Sequence, residues 1–294
     1  MSTINDFVVR FANVNGTGSA SANLLFAKSV FRMGVPVSPK NIFPSNIQGL
    51  PTWYEVRVSE KGHLGRREGI DLMVCVNPQS MLEDVKSVRV GGYFMYDSTK
   101  QLHEEYIRED INYIGIPLMQ MCNEHYTDPR LRQLFKNIIY VGACAALLNI
   151  DFSVLEELVS EQFAGKTKLI APNVEALQLG VDYVKATFTF PLPFHMERRD
   201  LVKDSTLMDG NPACGLGAVY AGATVCAWYP ITPSTSVAEA FEMYAEQFRV
   251  DKETGRKNFA IVQAEDELAA IGMVIGANWN GARSFTATSG PGVS

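Results

Sequence analysis

Between residues 6 and 190, short apolar runs alternate with segments whose apolar residues recur every three to four positions, and few folds accommodate that alternation. Asp6 to Val14 alternates and is rich in Val and Phe, as a strand should be, and Asn15-Gly16-Thr17-Gly18-Ser19 leads into a helix predicted from Ala20 to Met33. Asp71 to Val76 is nearly continuous in apolar residues and stops at Asn77-Pro78, which suits a strand covered on both faces. Tyr54 to Ser59, Val88 to Tyr96 and Asn112 to Met121 read as further strands, Asn41 to Leu50 as a polar loop, and Arg66, Arg67, Glu68 and Asp71 as a solvated charged loop or, less simply, a docking surface. Pro129 to Leu148 places Leu131, Leu134, Phe135, Ile138, Ile139 and Gly142 at helical spacing, and Ser153 to Phe163 and Asn173 to Phe188 follow as amphipathic helices. The pattern specifies an α/β sheet.

Phe190-Pro191-Leu192-Pro193-Phe194 interrupts it, and His195 to Asp209 is charged and irregular. The expected organisation is an α/β domain over 1–190, a linker over 191–209 and a second α/β domain over 210–294. In the second, Gly210 to Ala223 is a helix rich in small residues; each glycine there costs about 1 kcal/mol against alanine, so close packing is expected to offset it. A strand from Thr224 to Tyr229 then ends at Tyr229-Pro230-Ile231-Thr232-Pro233-Ser234-Thr235-Ser236, a proline-framed loop that turns into a helix. Ser236 and Glu239 have the spacing of a capping box, with Val237, Phe241, Tyr244 and Phe248 on one face. Hydroxyls and free N–H groups are thereby presented at a strand's carboxyl end, where open α/β sheets hold ligands. Beyond a strand from Phe259 to Gln263, Glu265-Asp266-Glu267 opens a helix (Leu268 to Ala277) of almost no polar character, and Arg283 to Thr288 reads as a strand ending at Ser289-Gly290-Pro291-Gly292. A carboxylate at the mouth of so apolar a helix is exposed, paired or aimed at a ligand.

The 294 residues suffice for two cores, and 47% hydrophobic with 20% charged residues is ordinary for a globular protein. A net charge of -6 argues against nucleic acid or an anionic membrane as partner. No apolar run has the length of a membrane helix and Met1 to Asp6 lacks a signal pattern, so a cytoplasmic location is expected. Cys75, Cys122, Cys144, Cys214 and Cys226 are scattered, without a C-x-x-C pair, and His63, His103, His125 and His195 are isolated, so no iron–sulfur or zinc ligand set is expected in this chain. Gly16 and Gly18 lack a third glycine and a downstream acid; tight turn geometry explains them better than dinucleotide binding.

Tyr229 to Thr235, the strand after it, the acid opening a Gly/Ala-rich helix, and Phe285-Thr286-Ala287-Thr288-Ser289-Gly290-Pro291-Gly292 together resemble the pyrimidine-binding domain of thiamine-diphosphate-dependent 2-oxoacid:ferredoxin oxidoreductases. The order and spacing are most similar to the α subunit of the 2-oxoglutarate type, with a γ-like domain fused in front. The resemblance implies a γ-type α/β domain followed by a partial pyrimidine-binding α/β domain. By the same resemblance Glu267, rather than Glu265, is the glutamate that activates the cofactor, with Glu265 and Asp266 capping or solvated. Tyr229, Pro230 and Ile231 would line the cofactor, and Thr232 would face the reacting carbons. Ser234 would contact substrate, although Ser234 and Thr235 serve equally well as helix caps.

The implied reaction is oxidative decarboxylation of 2-oxoglutarate to succinyl-coenzyme A with reduction of ferredoxin, or its CO2-fixing reverse. Pyruvate, branched-chain 2-oxoacids and indolepyruvate are alternative substrates, and a non-catalytic scaffold or adaptor subunit is an alternative of another class. Thiamine diphosphate would be shared with a β subunit that carries Mg2+ and a 4Fe–4S cluster, and coenzyme A would be a co-substrate. The family's substrate-binding arginine has no counterpart before Ser294, so a continuation of the α subunit is expected.

Overall fold

The computed structural model describes residues 3–14, 16–42 and 49–294; Asn15 of the glycine turn and most of the expected Asn41–Leu50 loop lie outside them. The chain divides into two compact units, Met1–Ser205 and Thr206–Ser294.

The first unit contains β1 (Thr3–Ile4), β2 (Asp6–Val14), α1 (Ser19–Arg32), β3 (Val37–Ile42), β4 (Pro51–Ser59), β5 (Ile70–Cys75), α2 (Met81–Ser87), β6 (Val88–Asp97), β7 (Asn112–Ile116), α3 (Leu118–His125), α4 (Pro129–Leu147), α5 (Phe152–Gln162), α6 (Ile170–Thr187) and β8 (Phe194–His195). Its six-stranded sheet has the order β3-β4-β2-β5-β6-β7. β2, β5, β6 and β7 run parallel, and β4 and β3 add an antiparallel edge. All six residues of β5 are buried, as its continuous apolar run requires.

Several expectations need correction. Asn112 to Met121 is not one strand: Pro117 cannot donate to a ladder, so β7 stops at Ile116 and α3 begins. Asn41 and Ile42 belong to β3, paired with Tyr54 and Trp53. The charged loop is not simply solvated, because Asp71 is buried in β5 and receives Val8 N at 2.7 Å, Arg67 and Arg89. Nor is 191–205 a free linker. Phe194 and His195 pair with Thr3 and Ile4, Leu192 N donates to Leu147 O at 2.8 Å, and Arg199 N donates to Met33 O at 2.8 Å.

The second unit contains α7 (Gly210–Tyr220), β9 (Val225–Trp228), α8 (Thr235–Phe248), β10 (Ala260–Gln263), α9 (Glu267–Trp279) and β11 (Ser284–Phe285). Its three parallel strands are ordered β10-β9-β11. Cys226 is at the middle, and Val219, Ala238, Phe241 and Ala245 bury against it. The close packing expected of α7 is found at Gly215, where a Cβ would stand 2.7 Å from the Phe241 backbone nitrogen of α8, but not at Gly210 or Gly217, where a Cβ would meet nothing within 4 Å.

Candidate functional site

Parallel strands send their following loops to one edge of a sheet, and in the second unit those loops carry the candidate residues. Trp228 of β9 pairs with Gln263 of β10, and Ala264 N extends the ladder to Trp228 O at 2.8 Å. Four residues beyond Trp228 stands Thr232, and four beyond Gln263 stands Glu267. The segment after β11, which pairs Phe285 with Cys226, leaves by the same edge.

The loop after β9 is tied to itself. Thr235 Oγ1 accepts from Ile231 N at 3.0 Å, Ser234 Oγ donates to Ile231 O at 3.1 Å, and Asn211 Nδ2 donates to both Pro233 O and Ser236 Oγ at 2.8 Å. The expected capping box is absent: α8 begins at Thr235, so Ser236 lies inside the first turn and its hydroxyl donates to Pro233 O at 3.1 Å. Ser234 is buried and engaged with Ile231, so its hydroxyl serves the loop rather than the surface. Thr232 is exposed and makes no hydrogen bond among the described residues; Pro230 is exposed, and Tyr229 and Ile231 are half-buried.

After β10, Asp266 is the N-cap of α9, with Oδ1 accepting from Ala269 N at 2.6 Å, and Glu265 is exposed. Glu267 is the first helical residue and is half-buried. Its side chain runs back toward the segment after β11, where a Cβ on Gly292 would lie 2.7 Å from Glu267 Cγ and 3.1 Å from Oε1. Beside it, Thr288 Oγ1 is buried without a hydrogen-bond partner among the described residues. In the sequence Thr288 stands only as one member of the Phe285–Gly292 motif and at the end of an expected strand, with no role of its own; β11 stops at Phe285, so Thr288 lies in the segment after it. Further along α9 only Ala270 and Val274 are buried, while Leu268 is 81% and Trp279 89% exposed.

The edge therefore collects a carboxylate, an unpartnered buried hydroxyl, an exposed hydroxyl and the helix N-terminus of α9. Such a set can bind the polar edge of a heterocycle and move a proton at it. Burial pushes the Cys226 thiol up to about 12 and the Cys122 thiol, in the first unit, up to about 11, which disfavours thiolate chemistry at those two positions. Among the described residues no group of three or more His, Cys, Asp and Glu could hold a metal ion, and no helix is long and apolar enough to cross a membrane.

Known proteins match both units. The pyruvate ferredoxin/flavodoxin oxidoreductase model matches residues 8–183, and the thiamine-diphosphate-binding model of the same enzymes matches residues 216–294. Subunit α of 2-oxoacid:ferredoxin oxidoreductase 2 from Aeropyrum pernix is 30% identical across 95% of this chain and 50% of its own length. The 2-oxoglutarate synthase subunit KorA of Methanothermobacter thermautotrophicus is 47% identical over 87 residues, 30% of this chain and 21% of its own. Among solved structures, the 2-oxoglutarate:ferredoxin oxidoreductase of Magnetococcus marinus, with 2-oxoglutarate, coenzyme A and succinyl-CoA bound, matches with a TM-score of 0.83 at 31% identity, covering 98% of this chain and 48% of that one. The chain thus spans about half the length of the relatives it matches end to end. On these matches, the chain belongs to the 2-oxoacid:ferredoxin oxidoreductase family, and it carries that family's thiamine-diphosphate-binding region behind a first α/β region in one polypeptide.

Proposed function

We propose that the second unit supplies the pyrimidine-binding face of the thiamine diphosphate site in an oxidoreductase acting on 2-oxoglutarate. The residues fit the ring. Glu267 offers an acceptor, Thr288 a buried hydroxyl in want of a partner, and Gly292 a space that no side chain could share. When bound, thiamine diphosphate supplies a stabilised carbanion at its thiazolium carbon. Glu267 would hold the aminopyrimidine edge of the bound cofactor and share a proton with a nitrogen there. Thr232 donates its hydroxyl to the 2-oxoacid, where such a donor contributes a few kcal/mol to oxyanion stabilisation. Tyr229, Pro230 and Ile231 form the adjoining wall.

The remaining parts are assigned elsewhere. The diphosphate, its Mg2+ and the 4Fe–4S cluster belong to a β subunit, the electrons pass to ferredoxin, and coenzyme A takes the acyl group. The remainder of the α subunit supplies the groups that hold the substrate's carboxylates. The names of the Methanothermobacter and Magnetococcus relatives support 2-oxoglutarate, while the Aeropyrum relative is named for 2-oxoacids in general. Pyruvate, branched-chain 2-oxoacids and indolepyruvate would require the same acid in the same place.

The observation that carries the reading is Glu267 at the mouth of α9, packed against Gly292. Glu267→Gln in the assembled enzyme tests it. The expected result is a loss of about 100-fold or more in kcat with the subunits still co-purifying. Unchanged turnover would leave the domain as a scaffold.

A further inference from the structure

The first unit encloses a cavity that the proposed chemistry does not use. It has a volume of about 470 Å³ and opens beside the carboxyl ends of β5 and β6, between Met81, Tyr96, Met119 and the loop from Thr99 to His103. Two lysines line it, and they differ in burial: Lys100, in the loop from Thr99 to His103, is exposed, whereas Lys136 on α4 is half-buried. Asp97 also lines the cavity, but Oδ1 of this carboxylate is occupied. It accepts from Thr99 N at 3.1 Å, Thr99 Oγ1 at 2.6 Å and Met119 N at 3.4 Å, and so ties the loop to the start of α3. Among the described residues the Lys136 side chain makes no hydrogen bond, and no carboxylate oxygen comes within 4.0 Å of its Nζ. Burial holds its pKa below the usual lysine range, while Asp97 acts in the other direction. An incompletely partnered ammonium in a largely apolar cavity is costly unless an anion joins it. Strand carboxyl ends are also where parallel sheets receive ligands.

We infer that this cavity binds a small organic carboxylate, with the anion on Lys136 and an apolar or aromatic body against Tyr96, Met81 and Met119. The inference does not depend on Glu267. Calorimetric titration of the assembled enzyme with phenylacetate, its neutral counterpart 2-phenylethanol and inorganic phosphate tests it. Phenylacetate is expected to saturate one site per chain, with 2-phenylethanol and phosphate at least about tenfold weaker. Lys136→Met should weaken phenylacetate by about tenfold or more, whereas Lys136→Arg and Glu267→Gln should bind it as the wild type does. Absent saturation, equal binding of the neutral probe or of phosphate, or undiminished binding by Lys136→Met would overturn the proposal. If Lys136→Met does not fold, trinitrobenzenesulfonate labelling of the wild type followed by peptide mass mapping decides. Phenylacetate should slow modification of Lys136 and 2-phenylethanol should not; equal rates with and without phenylacetate would overturn it.

Discussion

Gly292 lies so close to Glu267 that a methyl group on it would meet Glu267 Cγ at 2.7 Å and Thr288 Oγ1 at 2.2 Å. The segment after β11 therefore closes over the acid at the mouth of α9, and the absence of a side chain keeps the carboxylate where it stands. Gly292→Ala is expected to displace Glu267 by about 1 Å or reopen the segment, lowering kcat/KM by about 100-fold. The loss of global stability should stay under about 1 kcal/mol, because the displaced groups lie outside the hydrophobic core. Steady-state kinetics paired with thermal melts checks both. A variant with full activity would show that the contact does not position the acid.

Thr232 and Thr235 share a loop but differ in what they touch, and this separates chemistry from folding. Thr232 is exposed without a hydrogen-bond partner among the described residues, whereas Thr235 Oγ1 accepts from Ile231 N at 3.0 Å. Thr232→Val is expected to keep the melting temperature while reducing kcat by about 100-fold. Thr235→Val should destabilise the second unit by about 1 kcal/mol through the unsatisfied N–H of Ile231. Calorimetry with kinetics on both variants distinguishes them; a stability loss in Thr232→Val would contradict the assigned role.

Elements with a strong period were legible in the sequence. The continuous run of β5, the alternation of β2 and the helical stripes of α4, α5 and α6 all formed within a few residues of their expected bounds. β3 escaped because Pro39, Lys40 and Asn41 obscure the alternation of an edge strand that pairs only with β4. α3 escaped because a short apolar stretch reads equally as strand or helix, and Pro117 is the mark that separates them. At the candidate site, the acid and its helix were visible as a carboxylate before an apolar, small-residue run. The pairing of Gly292 and Thr288 with Glu267 was not, since it depends on how three loops converge at one sheet edge.

Gly142 and Gly180 show why α4 and α6 can pack as they do. A Cβ on Gly142 would lie 2.0 Å from Leu177 O, and one on Gly180 would lie 2.1 Å from Ile139 O, so each helix presses its backbone on the other's glycine. Neither obstacle is a flexible side chain that could swing aside. Gly142→Ala should separate the helices and destabilise the first unit by about 1–3 kcal/mol, despite alanine's better helix propensity. Urea unfolding followed by circular dichroism gives the answer. A neutral or stabilising effect would mean that α6 adjusts without loss.

Glu55 and Arg10 face each other across β4 and β2, and Arg66 closes on the same carboxylate with Nε 2.8 Å from Oε1. Burial pushes the Glu55 carboxyl up, but the hydrogen bonds from Arg66 and Arg10 more than reverse this and hold it below the usual glutamate range. A folded-state pKa below the unfolded value of about 4.3 contributes stability that is fully present above that pH and is lost as pH falls through the folded value. Glu55→Gln should therefore destabilise the first unit by about 2 kcal/mol at pH 7, discounted because Arg66 is half-exposed. As the wild-type carboxyl protonates below about pH 4.3, the difference between the two proteins should shrink. Urea denaturation of both from pH 7 to pH 3 measures it. A gap that stays constant across that range would mean that the carboxylate's charge contributes nothing beyond its shape.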